Sequence, residues 1–252
     1  MLRIILNGCG GRMGRVITAL ADGMDDIKIT AGIDVTSPDD LPFPVYKKAS
    51  ECDTTADVVI DFSHPSAFTD ITSYCIDRNI ALVIATTGLD GEQLESLENI
   101  SSQIPLFHSA NMSMGINLLI ELAKTAASFT EDLFDIEIIE KHHNQKLDSP
   151  SGTALAISDG INEALKSPKT PVYDRTGYRK KRHGSEIGIH AIRGGTIVGE
   201  HSVILAGRDE VIEIKHEAMS RDIFASGAIK AARFLKGKPA GLYSMHDIIK
   251  SR

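Results

Sequence analysis

A strand that runs directly into a glycine-rich turn and then into a helix constrains this chain more than any other segment. Leu2 to Leu6 is apolar except for Arg3, the pattern of a strand buried on both faces. It ends in Asn7-Gly8-Cys9-Gly10-Gly11-Arg12-Met13-Gly14, after which Met13, Val16, Ile17, Leu20 and Ala21 recur at helical spacing up to Gly23. Such a turn lets backbone approach a pyrophosphate, and the helix N-terminus behind it supplies free amides and a positive dipole end. Gly8 and Gly10 fit the G-x-G-x-x-G spacing, but the third glycine comes one residue late, at Gly14. Asp34 closes the next strand, 34 − 14 = 20 residues on, where a carboxylate accepts from ribose hydroxyls. A carboxylate there repels a 2′-phosphate, and Val35 stands where an arginine would attract one. The residues therefore favour NADH, with NADPH possible if Arg12 or the Lys47-Lys48 pair compensates.

Strands and helices alternate through the first half. Lys28 to Ile33, Asp57 to Phe62, Ala81 to Ala85 and Leu106 to Ser109 read as strands. Helices are expected from Pro65 towards Arg78 and from Gly91 to Ile100. This order implies a Rossmann-type α/β fold, a doubly wound parallel sheet. The pattern then changes. A helix near Gly115 to Ala127, a strand from Asp135 to Glu140 and a helix from Thr153 to Leu165 precede three closely spaced β segments, Ser185–Arg193, Thr196–Leu205 and Glu210–His216. Gly194-Gly195 between the first two signals a tight hairpin. Consecutive strands predict a second α+β domain on an open mixed sheet, with a last helix from Phe224 to Leu235 returning to the first. The expected domains are 1–112 for a dinucleotide, completed by 222–252, and 113–221 for substrate binding and oligomerisation.

The formal net charge of −7 over 252 residues disfavours a nucleic-acid partner held by phosphate contacts. The Arg179-Lys180-Lys181-Arg182-His183 run is accordingly expected to be a solvated loop, or a flap over an acidic substrate. No run approaches the ~18 apolar residues of a membrane helix, and the apolar start is too short for a signal peptide. The three cysteines, Cys9, Cys52 and Cys75, form no paired motif. A reduced, cytoplasmic protein is expected.

Chemistry concentrates in Glu140-Lys141-His142-His143-Asn144-Gln145-Lys146-Leu147-Asp148-Ser149-Pro150-Ser151-Gly152-Thr153. Pro150 to Thr153 opens a helix, with Ser151 able to cap it and the amides of Gly152 and Thr153 facing outward, a receptor for a carboxylate. Two histidines and a lysine beside it offer proton donors and positive charge. Zinc is disfavoured, because strand neighbours face opposite ways and no further ligand is suitably spaced, so no metal is expected.

With Asp-Phe-Ser before the proline-opened helix, Ala-Thr-Thr-Gly, Ser-Ala-Asn-Met-Ser, H-H-x-x-K-x-D-x-P-S-G-T, Arg-Gly-Gly-x-Ile-Val-Gly-Glu-His and Ser220-Arg221, the chain resembles the 4-hydroxy-tetrahydrodipicolinate reductase family over essentially its whole length. The resemblance implies NAD(P)H-dependent reduction of a dicarboxylate ring, with loss of water, in lysine and diaminopimelate biosynthesis. It places Gly8, Cys9, Gly10, Gly11, Arg12 and Met13 on the pyrophosphate and Asp34 on the adenosine ribose. Ala85, Thr86, Thr87, Ser109, Ala110, Asn111 and Met112 are expected on the nicotinamide side. His142 is the expected catalytic acid and Lys146 a second donor, while His143, Gly152, Thr153 and Arg221 bind substrate. It also implies a homotetramer and domain closure. Family members using NADPH often carry an arginine at the position of Val35, and some carry one at that of His64, so phosphate recognition here departs from that pattern.

Two rival readings remain at this stage. An aldehyde-oxidising dehydrogenase needs a cysteine nucleophile, and none of the three cysteines falls in an inter-domain loop. A non-catalytic cofactor-binding protein on the same fold has no need of the donors at His142 and Lys146.

Overall fold

The computed structural model describes residues 1–131, 133–177 and 179–251. The chain divides into two compact units, Met1–Ser113 with Asp222–Arg252, and Met114–Arg221.

In the first unit, β1 (Leu2–Asn7), α1 (Arg12–Asp22), β2 (Ile27–Ile33), β3 (Val45–Tyr46), β4 (Val58–Asp61), α2 (Phe68–Arg78), β5 (Ala81–Ile84), α3 (Gly91–Ser101) and β6 (Pro105–His108) follow one another. The first unit resumes with α6 (Asp222–Leu235), β12 (Gly241–Tyr243) and α7 (Met245–Lys250). Seven strands form one sheet in the order β12-β6-β5-β4-β1-β2-β3, every neighbouring pair parallel. A parallel sheet must be covered on both sides. One face packs on α2 and α3, where Ile5, Val59, Leu82 and Leu106 meet Phe68, Ile71, Cys75, Leu97 and Ile100. The helices α1 and α6 pack together, and α6 lies against β4, β5 and β6. The predicted doubly wound sheet is thus present. Strands β3 and β12 and helix α7 are too short to raise a periodic signal in the sequence.

The second unit comprises α4 (Met114–Thr130), β7 (Asp135–His142), α5 (Gly152–Ala164), β8 (Thr170–Val172), β9 (Glu186–Arg193), β10 (Gly199–Ala206) and β11 (Val211–Ala218). Its sheet runs β11-β10-β7-β9-β8 and is mixed: β7 pairs with β9 in parallel and with β10 antiparallel. Helices α4 and α5 pack together, and their apolar residues Leu119, Ala123, Ile157 and Ile161 join Ile136, Ile138, Ile187, Ile189, Val203 and Leu205 in one core.

One expectation fails here. Gly194-Gly195 is not a hairpin turn, because β9 and β10 are separated by β7. The connection instead crosses the end of β7, where the Gly194 amide donates to the His142 carbonyl and the Asn144 amide to the Gly195 carbonyl. A Gly-Gly step supplies turn geometry but cannot say which strand lies beyond it. In the Arg179–His183 run, Arg179, Lys180, Lys181 and His183 are exposed, whereas Arg182 is partly buried. Its guanidinium donates to Asp135, to Glu137 and to the carbonyls of Ile136 and Glu186, which fastens Arg182 to β7 and the start of β9. Two carboxylates on the solvent-side positions of β7 attract it, and sequence distance concealed the pairing.

The late third glycine has a packing reason. A Cβ on Gly14 would collide with the Gly8 carbonyl and the Cys9 backbone, so helix α1 can seat this close to the turn only without a side chain. Gly14→Ala is therefore expected to lower unfolding stability by about 1–3 kcal/mol, read by urea denaturation.

Candidate active site

The strand order of the first sheet reverses between β1 and β4, the place where open α/β sheets bind ligands. A polar cluster knots the strand ends there. Asp61 is buried and accepts from Asn7 Nδ2 at 2.8 Å, Ser63 Oγ at 2.6 Å and Thr86 Oγ1 at 2.7 Å. Burial raises its pKa against those hydrogen bonds. The carboxyl thus ties together the turns that follow β1, β4 and β5.

Above it, Gly8 has φ +80° and sits where a Cβ would come 2.6 Å from the Phe62 carbonyl oxygen. Gly11 precedes α1 without a capping side chain, and the first turn of α1 holds no acidic residue, so its own side chains do not neutralise the dipole end. Asp34 takes the Gly10 amide on Oδ2 at 2.9 Å and the Thr36 amide and hydroxyl on Oδ1 at 2.9 and 2.6 Å. Burial works against the charge, but these donors hold the carboxyl below its usual range. Three of about four lone-pair directions are thus used, leaving room for a hydroxyl donor. Asp34 lines a cavity of about 650 Å³ together with Gly8, Val35, Lys47, Lys48, Ser63, His64 and Ser66. A dinucleotide fits this set: the glycines would be obstructed by any Cβ, and the cavity offers both a carboxylate and two ammonium groups.

Other expected residues of this unit are placed as follows. The Cys9 side chain is buried against Gly32 and its thiol is pushed up to about 11 by burial, so only its backbone faces the turn's outer side. Arg12 is exposed and Met13 half-buried. Ala85 and Thr86 are buried after β5, whereas Thr87 is exposed. After β6, Ser109 Oγ donates to the Asn111 carbonyl, Asn111 Oδ1 accepts from the Ser113 amide, Ala110 is exposed and Met112 is buried.

The second group of candidates lies wholly in the second unit. Strand β7 alternates, and its inward stripe reads Ile136, Ile138, Glu140, His142: two core residues and then two ionisable ones. Glu140 has no solvent exposure. It accepts from both arms of Arg193 at 2.7 Å, from the Ser151 amide at 3.0 Å, and pairs with His142 Nδ1 at 2.6 Å. Burial pushes the Glu140 carboxyl up, but Arg193 and His142 outweigh it and hold it below its usual range. An ionised carboxylate can only accept, so His142 carries its neutral-state proton on Nδ1 and presents Nε2 as the exchangeable nitrogen. That edge of the ring is clear because β10 places a glycine beside it: a Cβ on Gly199 would lie 3.1 Å from Nε2. Burial lowers the His142 pKa, and Glu140 partly restores it.

The loop continues into Lys146, whose Nζ is 2.9 Å from Asp148 Oδ1. Ser151 caps α5 as expected, its hydroxyl accepting from the Ala154 amide at 3.2 Å. Gly152 is exposed with nothing near its missing Cβ, its backbone amide hydrogen-bonds the Asp148 carboxylate, and Thr153 is half-buried beside it. His143 Nε2 and Arg221 Nη2 approach to 3.3 Å. The second unit therefore carries His142, Lys146 and the Gly152–Thr153 helix start on one continuous segment from the end of β7 to the start of α5, with His143 and Arg221 paired.

Sequence reasoning overlooked Asp61, Glu140, Arg193 and His201. Glu140 could have been found as a carboxylate on the inward stripe of a strand. His201, opposite Glu140 across the β10–β7 ladder, packs edge-on to His142 with centroids 5.2 Å apart and lies 3.3 Å from the Ser151 hydroxyl.

A Rossmann-type sheet with a glycine turn, in a chain whose second unit carries a buried carboxylate–histidine pair beside a lysine loop, is the framework of a nucleotide-dependent oxidoreductase. The comparisons name the family. Residues 2–112 match the model "Dihydrodipicolinate reductase, N-terminus" and residues 115–249 the model "Dihydrodipicolinate reductase, C-terminus". The 4-hydroxy-tetrahydrodipicolinate reductase of Caldanaerobacter subterraneus is 52% identical over 99% of each chain, and that of Clostridium novyi 48% identical over 100% of each. A solved structure described as dipicolinate-bound dihydrodipicolinate reductase from Paenisporosarcina superposes with a TM-score of 0.81, 26% identity and 97% coverage of both chains. The chain belongs to the dihydrodipicolinate reductase family. Its reaction is the NAD(P)H-dependent reduction of 4-hydroxy-tetrahydrodipicolinate to tetrahydrodipicolinate, with loss of water, in lysine and diaminopimelate biosynthesis. Among the described residues no helix is long and apolar enough to cross a membrane.

Burial, reinforced by the neighbouring His142, pushes His201 down to about 4. A folded-state pKa below the unfolded value means that the unfolded chain binds the extra proton. The stability that neutral His201 contributes is complete above about pH 6.5 and is lost as pH falls towards 4. Denaturation midpoints measured between those limits are expected to show a loss of roughly 3 kcal/mol from this group, and His201→Gln to flatten it.

Proposed function

We propose that the first unit holds the dinucleotide and the second holds and protonates the ring. Gly8 to Met13 bind the pyrophosphate through backbone amides, and Asp34 binds the adenosine ribose. Ala85 to Thr87 and Ser109 to Met112 serve the nicotinamide end. The cofactor, when bound, supplies the hydride. NADH is favoured, because the Asp34 carboxylate repels a 2′-phosphate and exposed Val35 offers it nothing. Lys47 and Lys48, lining the same cavity, allow NADPH as well.

In the second unit, the ring carboxylates rest on the Gly152 and Thr153 amides, with His143 and Arg221 completing the anion site. The dicarboxylate seen with the Paenisporosarcina protein has the chemistry such a receptor selects. Loss of the 4-hydroxyl as water yields a conjugated cyclic imine. Hydride addition at the carbon furthest from nitrogen turns it into an enamine, which must be protonated. His142 delivers that proton from Nε2, and Lys146 provides positive charge and the second donor. The observation that carries this reading is the buried Glu140–His142 pair at the end of β7, on the strand that leads into the Lys146 loop and the Ser151-capped start of α5. We place the protein in the cytoplasm as a homotetramer built through the second unit.

The test couples the chain to the synthase that generates its unstable substrate and follows NADH or NADPH consumption. Lys146→Ala is expected to lower turnover at least about 10²-fold with an unchanged circular dichroism spectrum; near-normal turnover excludes an essential donor there. Asp34→Ala is expected to weaken both cofactors but to shift the kcat/KM ratio towards NADPH about tenfold, since a repulsive charge is removed.

A further inference from the structure

We propose that Glu140, gripped by Arg193, is a positioning residue that selects Nε2 of His142 as the proton-exchanging nitrogen and keeps the Lys146–Asp148 segment in register with it. The inference rests on the reading of His142 as proton donor and adds to it what Glu140 and Arg193 do for that donor.

Four contacts converge on a carboxylate with no solvent exposure: two from Arg193, one from the Ser151 amide and one from His142. A buried ion pair of this kind is weak evidence for stability, because desolvation of two charges offsets most of their attraction. On the inward stripe of β7, after Ile136 and Ile138, a third apolar residue would extend the core at lower cost. A charge at this position therefore points to a task, and the geometry supplies it. Only an acceptor at Nδ1 leaves Nε2 as the lone pair of the neutral ring. Nε2 can then take a proton from water, pass it to the ring carbon and return to its starting state, while Glu140 stays ionised throughout.

Arg193 extends the same control to the rest of the loop. Its Nη2 also donates to the Asp148 carbonyl at 2.7 Å, so one guanidinium links Glu140 to the segment carrying Lys146. The following residues continue the connection, the Gly194 amide donating to the His142 carbonyl at 2.9 Å and the Gly195 carbonyl accepting from Asn144 at 3.2 Å. The Ser151 amide ties the start of α5 to the same carboxylate. Proton donor, lysine loop and anion-receiving helix end thus share one anchor.

The charged groups facing His142 are Glu140 from its own strand, Arg193 from β9, His201 from β10 and Lys146 from the loop. Among these Glu140 alone is negative. Removing its charge therefore lowers the pH at which His142 can hold a proton.

Long-range proton–nitrogen NMR of the histidine rings reads the wild-type tautomer directly and is expected to show Nδ1 protonated and Nε2 titrating. Glu140→Gln is expected to lower kcat about 10²-fold, leave KM for the ring within about threefold, and move the alkaline limb of the kcat profile to lower pH. Arg193→Lys keeps the positive charge but loses the fork, and it serves if Glu140→Gln fails to fold; its kcat is expected to fall about tenfold. A wild-type His142 protonated on Nε2, or either variant folded with kcat within about threefold of wild type, overturns the positioning role. His142→Asn separates this from the underlying reading. Full activity there removes His142 as donor whatever the spectrum shows, whereas an inactive His142→Asn beside a fully active Glu140→Gln removes the positioning role alone.

Discussion

The inward stripe of β7 is the constraint on which the second unit depends. Because side chains alternate along a strand, the register that buries Ile136 and Ile138 under α4 and α5 also turns Glu140 and His142 inward. A slip of one residue would expose both isoleucines and aim Lys141 at the core. The apolar half of the strand therefore fixes the direction of the polar half. Neighbouring strands then meet the polar half with matched groups: Arg193 stands opposite His142 on β9, His201 opposite Glu140 on β10, and Gly199 leaves space for the ring.

The first unit solves an analogous problem with a different device. Its strands are buried on both faces, so the only backbone free to meet a ligand is at the strand ends. The reversal between β1 and β4 opens a crevice there, and Asp61 knots the surrounding turns through Asn7, Ser63 and Thr86. In both units a buried carboxylate organises the backbone at the ends of strands. Asp61 does so with neutral donors and has its pKa raised by burial; Glu140 has a full guanidinium partner and stays low. The difference follows from the partner: hydroxyls and an amide cannot offset desolvation as a bidentate arginine does.

Much of this was legible in the residue order, for identifiable reasons. Strand β1, the glycine turn and α1 are local, and so is the Ser151 cap of α5; each rests on contacts within a few residues. The helix α6, nearly complete as expected, shows its amphipathic pattern without help from its neighbours. The missed features are all long-range. Strand order placed β7 between β9 and β10 and turned an expected hairpin into a crossover. Arg182 found Asp135 and Glu137 more than forty positions away, and Arg193 found Glu140 across 53. The short strands β3 and β12 exist only because a sheet edge was available to pair with them.

By itself the sequence determined the two kinds of sheet, the glycine turn at Gly8 to Gly14, and the concentration of His142, Lys146 and the Gly152–Thr153 helix start in one segment. These depend on local pattern and steric freedom, which a linear chain carries intact. Tertiary structure alone decided which nitrogen of His142 is held, which arginine holds the carboxylate that holds it, and which lysines share a cavity with Asp34. Each of those depends on a partner brought in by sheet pairing, and the distance between the partners along the chain says nothing about their distance in the fold.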